Sequence, residues 1–243
     1  MTDSFANVYA DADRAASYAS LEYPGTYYLA FRDIPGLIRR HVHGSVALDF
    51  GCGTGRSTRY LQTLGFRTVG IDIAEPMLAQ ARQRDPSGDY RLSRSDGPPV
   101  LPPHAYDLIL AAFTFDNIPT APTKTSLFRA LRWALRPQGC IVIIVSTPAI
   151  YSHEWASFST KDFPDNRLAA DGDRVRIVML DVPDRRPVED IVWSDRAYRE
   201  VFTAAGLHVR EWHQPLGLPS EPFGWISETS VPAWSIYVLD TGA

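Results

Sequence analysis

The chain has 243 residues, 45% hydrophobic and 21% charged, with 24 Lys and Arg against 28 Asp and Glu and a formal net charge of -4. That length is ample for a sizeable core, and the composition excludes disordered and fibrous classes. The charge gives no general attraction to phosphate backbones or anionic membranes. The start, MTDSFANVYADADR, lacks the basic segment and apolar run of a signal peptide. The longest strongly apolar run, Cys140 to Val145, is too short to span a bilayer. Two cysteines, Cys52 and Cys140, provide neither a disulfide framework nor metal-ligand spacing. A cytoplasmic protein with no nucleic-acid, membrane or metal partner is expected.

The first forty-odd residues, rich in Ala and Tyr, predict helices broken at Pro24-Gly25 and Pro35-Gly36. A strand over Val46 to Phe50 then leads into a helix after Gly55, with Tyr60, Leu61 and Leu64 on one face and Gly65 as its stop. The run Arg67 to Ile73 predicts a second strand, followed by a helix with Pro76 in its first turn and Met77, Leu78 and Ala81 as its stripe. A short strand around Tyr90 to Leu92 and a stronger one over Tyr106 to Phe113 follow. Pro122 opens a helix carrying Leu127, Leu131 and Leu135, and Pro137-Gln138-Gly139 is expected to end it before the strand CIVIIVS. The βαβα order argues for a parallel sheet with helices on both faces.

The stretch 147–187 breaks that rhythm with Pro, Asp and aromatic residues and one β-like run, VRIVML, and reads as an insertion within one domain over 1–243. Ser194-Asp195 caps a further helix that Gly206 stops. The strands LHVREWH and WSIYVL close the chain with no helix between them, which predicts an antiparallel pair.

The segment ALDFGCGTGRS, Ala47 to Ser57, sets Gly51, Gly53 and Gly55 directly behind the first strand, where a helix start offers free backbone N–H groups. A dinucleotide fingerprint needs G-x-G-x-x-G; here the spacing is G-x-G-x-G. Asp49, two residues before the first glycine, is a poor neighbour for a pyrophosphate and suits a cationic ligand. LDFGCGTG with GIDI behind it closely resembles the class I S-adenosylmethionine-dependent methyltransferases, most strongly over 46–140.

The resemblance implies a Rossmann-like, seven-stranded, mostly parallel sheet ending in an antiparallel hairpin, with S-adenosylmethionine as cofactor. It implies that Gly51, Gly53 and Gly55 let the chain pass close to the amino-acid part of the cofactor, with Asp49 facing its positive side. Asp72 would accept bonds from the ribose hydroxyls, or cap the next turn. Ile73 and Met77 would lie against the adenine, and Asp96-Gly97 would receive its amino group or form an ordinary turn. The Ala112 carbonyl would hold the methionine ammonium. Cys52, with no basic neighbour, reads as packing.

Methyl transfer from a sulfonium asks the protein mainly to align acceptor and methyl carbon and to exclude water. A base is needed only if the acceptor must lose a proton. Asp116 or Asn117 behind the fourth strand could hydrogen-bond an acceptor or stabilise the turn. His153 in the insertion could act as a base oriented or charged by Glu154, the alternative for that pair being a surface or supporting role. His153-Glu154 does not complete H-E-x-x-H, because position 157 is serine. The NPPY and DPPY signatures of enzymes acting on planar amides and amines of nucleic acids and proteins are absent behind the fourth strand. Tyr18, Tyr23 and Tyr28, in a helical lid over 1–44, and Trp155 are expected at the acceptor. The reading is methyl transfer to an oxygen or nitrogen of a small metabolite. The alternatives are a cyclisation or rearrangement using the same cofactor, and a non-catalytic binding subunit.

Overall fold

A computed structural model describes residues 11–242. Residues 1–10 of the expected N-terminal lid, and most of the stretch read against a signal peptide, lie outside the described residues. Three helices lead, α1 (Ala12–Ala19), α2 (Gly25–Arg32) and α3 (Ile34–His41). Asp11 caps α1 by accepting the N–H groups of Asp13 and Arg14. Pro24 precedes α2, as expected, but Pro35-Gly36 does not break the next helix: it lies in the first turn of α3, where a missing N–H costs nothing.

The sheet then builds from β1 (Val46–Phe50), α4 (Arg56–Thr63), β2 (Arg67–Asp72), α5 (Glu75–Arg84), β3 (Asp89–Leu92), β4 (Tyr106–Ala112), α6 (Ala121–Ala134) and β5 (Leu135–Ser146). A smaller antiparallel sheet follows, β6 (Phe158–Ser159), β7 (Arg174–Met179) and β8 (Val188–Ile191). Then come α7 (Asp195–Ala204), β9 (His208–His213) and β10 (Trp234–Asp240). The order across the main sheet is β3-β2-β1-β4-β5-β10-β9, parallel from β3 to β5, with β10 antiparallel to both its neighbours.

Two cores sandwich this sheet, and the strand period of two sorts the residues between them. Val142, Ile144, Ile236 and Val238 join the N-terminal helices, α4 and the small sheet. Ile141, Ile143, Val145 and Leu239 face α6 and α7. Each such aliphatic side chain contributes roughly 1.5–3 kcal/mol on burial.

The turn expected at Pro137-Gln138-Gly139 sits inside β5 instead. Tyr106 pairs with Leu135 and Leu108 with Cys140, so residues 136–139 bulge opposite Asp107. A bulge is where a strand tolerates proline, and Arg136 donates from it to both oxygens of Asp107, at 2.9 and 2.8 Å. Strand order reverses between β1 and β4. Their carboxyl ends therefore part into a crevice, the usual ligand site of an open parallel sheet.

Candidate active site

That crevice holds a cavity of about 450 Å³, within the range of small-ligand sites. Its floor is the loop leaving β1. Gly51 has φ +74°, and a Cβ there would lie 2.3 Å from the Thr114 Oγ1; a Cβ on Gly53 would lie 3.1 Å from the Met77 methyl. Both glycines thus keep space that any side chain would fill. Ile71 anchors the loop by accepting the N–H groups of Gly51 and Cys52, at 2.8 and 3.0 Å. At the end of β2, Asp72 accepts the Gly53 N–H and the Ala74 N–H, each at 2.8 Å. It caps the turn and also lines the cavity, and each oxygen keeps lone-pair capacity for a further donor. Burial raises its carboxyl above the ordinary range, against the pull of those amides. Ile73, Met77, Gly97, Ala112 and Asn117 line the same cavity, and Tyr18 reaches it from α1.

Three residues expected at the cofactor lie off this surface. Asp49 is fully buried beneath the loop, where its Oδ2 accepts the hydroxyls of Ser57 (2.7 Å) and Thr58 (2.6 Å). Its Oδ1 has no hydrogen-bond partner among the described residues. Burial pushes its carboxyl up to about 6. Gly55, with φ +79°, starts α4, and a Cβ there would meet the Tyr90 hydroxyl at 2.6 Å. Asp96 is exposed and ion-paired with Arg94 at 2.7 Å, an arrangement satisfied without a ligand. Its neighbours Ser93, Arg94, Ser95 and Gly97 form the wall instead.

A second, smaller chamber of about 50 Å³ adjoins the first; Tyr18, Phe113 and Asn117 line both. Phe113 sits at this junction with φ 64°, a strained backbone for an aromatic residue. Its N–H bonds the Ile144 carbonyl at 2.8 Å. Behind it Asp116, expected as a catalytic candidate, reaches the chamber and accepts the N–H and hydroxyl of Ser146 at 3.1 and 2.9 Å. Across the chamber stands Asp190 of β8, bonded by the Tyr151 hydroxyl at 3.2 Å. Burial raises both carboxyls; the Asp116 charge raises Asp190 further, whereas the Lys124 charge and the Ser146 donors pull Asp116 back down. Lys124 of α6 is fully buried nearby, donating to the Phe115 carbonyl and lying 3.5 Å from the Tyr198 hydroxyl. Burial lowers its ammonium from the usual lysine range.

The other expected acceptor residues do not meet here. His153 is exposed, its ring bonded to Ser152 and to the Ala149 carbonyl. Glu154 accepts the Thr160 N–H at 2.6 Å and braces its own loop. Trp155 is fully buried with its indole N–H on the Ile150 carbonyl. Tyr23 donates to the Arg56 carbonyl and packs on Phe31 and Tyr60, while Tyr28 packs on Phe223. All five line neither cavity. Asp190 was not anticipated, yet its signal is in the sequence. In VEDI, Val188 and Asp190 fall on one strand face, and an acid on an otherwise apolar, inward face needs a reason.

A family profile described as "Methyltransferase domain" matches residues 48–141, from β1 to β5. The chain is 29% identical over 203 residues to a trans-aconitate 2-methyltransferase of Escherichia coli, covering 76% of this chain and 67% of that one. It is 40% identical over 65 residues to a malonyl-[acyl-carrier protein] O-methyltransferase of Yersinia pestis. That match spans 27% of this chain and only 24% of the relative. The fold is similar to a solved S-adenosylmethionine-dependent methyltransferase from Clostridium acetobutylicum, with a TM-score of 0.63 at 14% identity over 95% of this chain and 98% of that one.

The residues present fit the cofactor of that family. Gly51 and Gly53 clear a cradle, Asp72 offers acceptor capacity, and the orphan oxygen of Asp49 leaves negative character under the loop. Residues 48–141 thus match a methyltransferase domain, and the chain is similar in sequence to methyltransferases and in fold to an S-adenosylmethionine-dependent one, as the resemblance to class I implied.

Proposed function

We propose that the protein transfers a methyl group from S-adenosylmethionine to a nitrogen or oxygen of a small acceptor. The observation that carries this reading is the pair of adjoining cavities, one glycine-floored and one acid-lined, with Tyr18, Phe113 and Asn117 common to both. When bound, the cofactor supplies a methyl group on a sulfonium, a leaving group that needs no protonation. The chain supplies position. Gly51 and Gly53 admit the amino-acid portion, Asp72 takes the ribose hydroxyls, Ile73 and Met77 flank the base, and the Ala112 carbonyl faces the ammonium. Tyr18 and Phe113 wall the junction against water, where alignment has its largest effect on rate. Asp116 or Asp190 accepts whatever proton the acceptor sheds.

Trans-aconitate and malonyl-[acyl-carrier protein] name the acceptors of the relatives. An anionic acceptor of the aconitate kind would meet two carboxylates in the small chamber, which sets this chain apart from those two. In the test, the protein is incubated with methyl-labelled S-adenosylmethionine and a metabolite extract. Label in a new product, with S-adenosylhomocysteine formed in equal amount, supports transfer. A new product without label and of unchanged mass overturns it in favour of rearrangement, and no turnover at all in favour of a binding role.

A further inference from the structure

We propose that the small chamber seats the protonated amine head of the acceptor between the carboxylates of Asp116 and Asp190, against the rings of Tyr18, Tyr27 and Trp234. This rests on the methyl-transfer reading and narrows it from nitrogen or oxygen to an aliphatic amine.

Size comes first. About 50 Å³ admits a few heavy atoms, so a small amine or the amine end of a longer molecule fits, and a bulky ring does not.

Charge comes second. Two acids face the chamber, and among the described residues neither is ion-paired; Asp116 is bonded by Ser146 and Asp190 by Tyr151, all neutral donors. The surrounding cations are engaged elsewhere. The Lys124 ammonium points at the Phe115 carbonyl and the Tyr198 hydroxyl, and its single charge offsets at most one of the two acids. Arg174 pairs with Glu189 on the exposed side of β8. Arg56 lies behind the Tyr27 and Phe113 rings, lines neither cavity and donates to the Glu22 carbonyl and the Tyr18 hydroxyl. A second carboxylate drawn into the chamber without a cation holds a proton instead, its pKa pushed up to about 8, and an incoming ammonium is the partner that lets it ionise.

The walls agree. Tyr27, Phe113, Phe158 and Trp234 pack edge and face at centroid separations of 4.8–6.0 Å, and all four border the chamber with Tyr18. Aromatic faces beside carboxylates suit an alkylammonium, whose carbon atoms need apolar contact and whose charge gains from the rings. An alcohol draws nothing from the second acid, and a carboxylate is repelled by both.

The chemistry closes on these groups. The ammonium gives one proton to the Asp190 carboxylate, whose burial holds its proton affinity high. The freed nitrogen lone pair forms the new N–C bond, the C–S bonding pair stays on sulfur as a neutral thioether, and the product leaves as a methylated ammonium.

The test uses the full chain saturated with S-adenosylhomocysteine and titrated, at matched ionic strength, with isopropylammonium, isopropanol and isobutyrate, followed by NMR. The expected result is ammonium binding at least tenfold tighter than either isostere, with Asp190→Asn closing that gap. S-adenosylhomocysteine affinity of the variant within twofold of the wild type certifies its fold; the conservative Asp190→Glu retains the ammonium preference. Equal binding of the three probes, or a preference untouched by Asp190→Asn, overturns the amine assignment and leaves methyl transfer standing. Failure of S-adenosylhomocysteine to bind the wild type overturns both.

Discussion

The Asp72 carboxylate accepts the backbone N–H of Gly53 at 2.8 Å and, through its other oxygen, that of Ala74 at 2.8 Å. One side chain thus ties the end of β2 to the glycine loop while lining the larger cavity. Hydrogen bonds to a charged group contribute ~1.5–3 kcal/mol each. Asp72→Ala should weaken S-adenosylmethionine binding by ten- to a hundredfold or more by calorimetry, with Asp72→Asn falling between. An affinity unchanged in Asp72→Ala would remove Asp72 from the cofactor site.

Gly51→Ala tests the floor of the cradle. The new methyl would sit 2.3 Å from the Thr114 Oγ1 at a φ of +74°, and a left-handed backbone alone costs a non-glycine residue ~1–2 kcal/mol. We expect a melting temperature lower by several degrees and a loss of cofactor affinity, both partly recovered in a Thr114→Ala background. Wild-type melting and affinity together would contradict the packing described.

Asp49 supplies a pH signature. Its carboxyl ionises near 6 in the folded protein against an ordinary 3.8, so the folded state holds the proton more tightly than the unfolded chain does. Its contribution to stability is full below about pH 4 and is lost as pH rises through about 6. Asp49→Asn should flatten that part of the stability curve in chemical denaturation. A cationic ligand near the orphan Oδ1 favours the ionised form. Binding of S-adenosylmethionine near pH 6 should therefore release protons, read as a dependence of calorimetric heat on buffer ionisation enthalpy. Asp49→Ala strands the Ser57 and Thr58 hydroxyls, at ~1–3 kcal/mol for each buried donor left unpaired.

His153→Ala should leave methyl transfer within about twofold of wild type, because the ring is exposed and reaches neither cavity. Glu154→Gln should lower stability by about 1 kcal/mol through the weakened bond to Thr160, without changing the acceptor dependence of the rate. A tenfold or larger loss of rate in His153→Ala at unchanged melting temperature would return the histidine to the reaction.

The parallel half of the sheet was legible because each of its elements announces itself locally: β5 by an unbroken apolar run, α5 by Pro76, α7 by Ser194. The terminal hairpin followed from the missing helix between β9 and β10. Gly51, Gly53 and Asp72 were readable for the same reason, since loop, strand end and turn lie within 22 consecutive residues. The small chamber was not. Its acids stand 74 positions apart at Asp116 and Asp190, and only the return of β8 across the sheet brings them together. Lys124 reads as an ordinary solvated helix residue until α7 packs over it. His153 and Glu154 line neither cavity, since adjacency in sequence says nothing of which way a loop faces.

The two cavities draw on almost separate stretches of chain. The larger is built between Phe50 and Leu127, apart from Tyr18; the smaller takes Ile150, Phe158, Ile177, Met179, Val188, Asp190 and Trp234 from beyond that range. Mutational drift in the later stretch can therefore retailor what is methylated while the donor's grip is inherited intact. Tyr18 and the junction pair Phe113 and Asn117 are the places where such freedom ends.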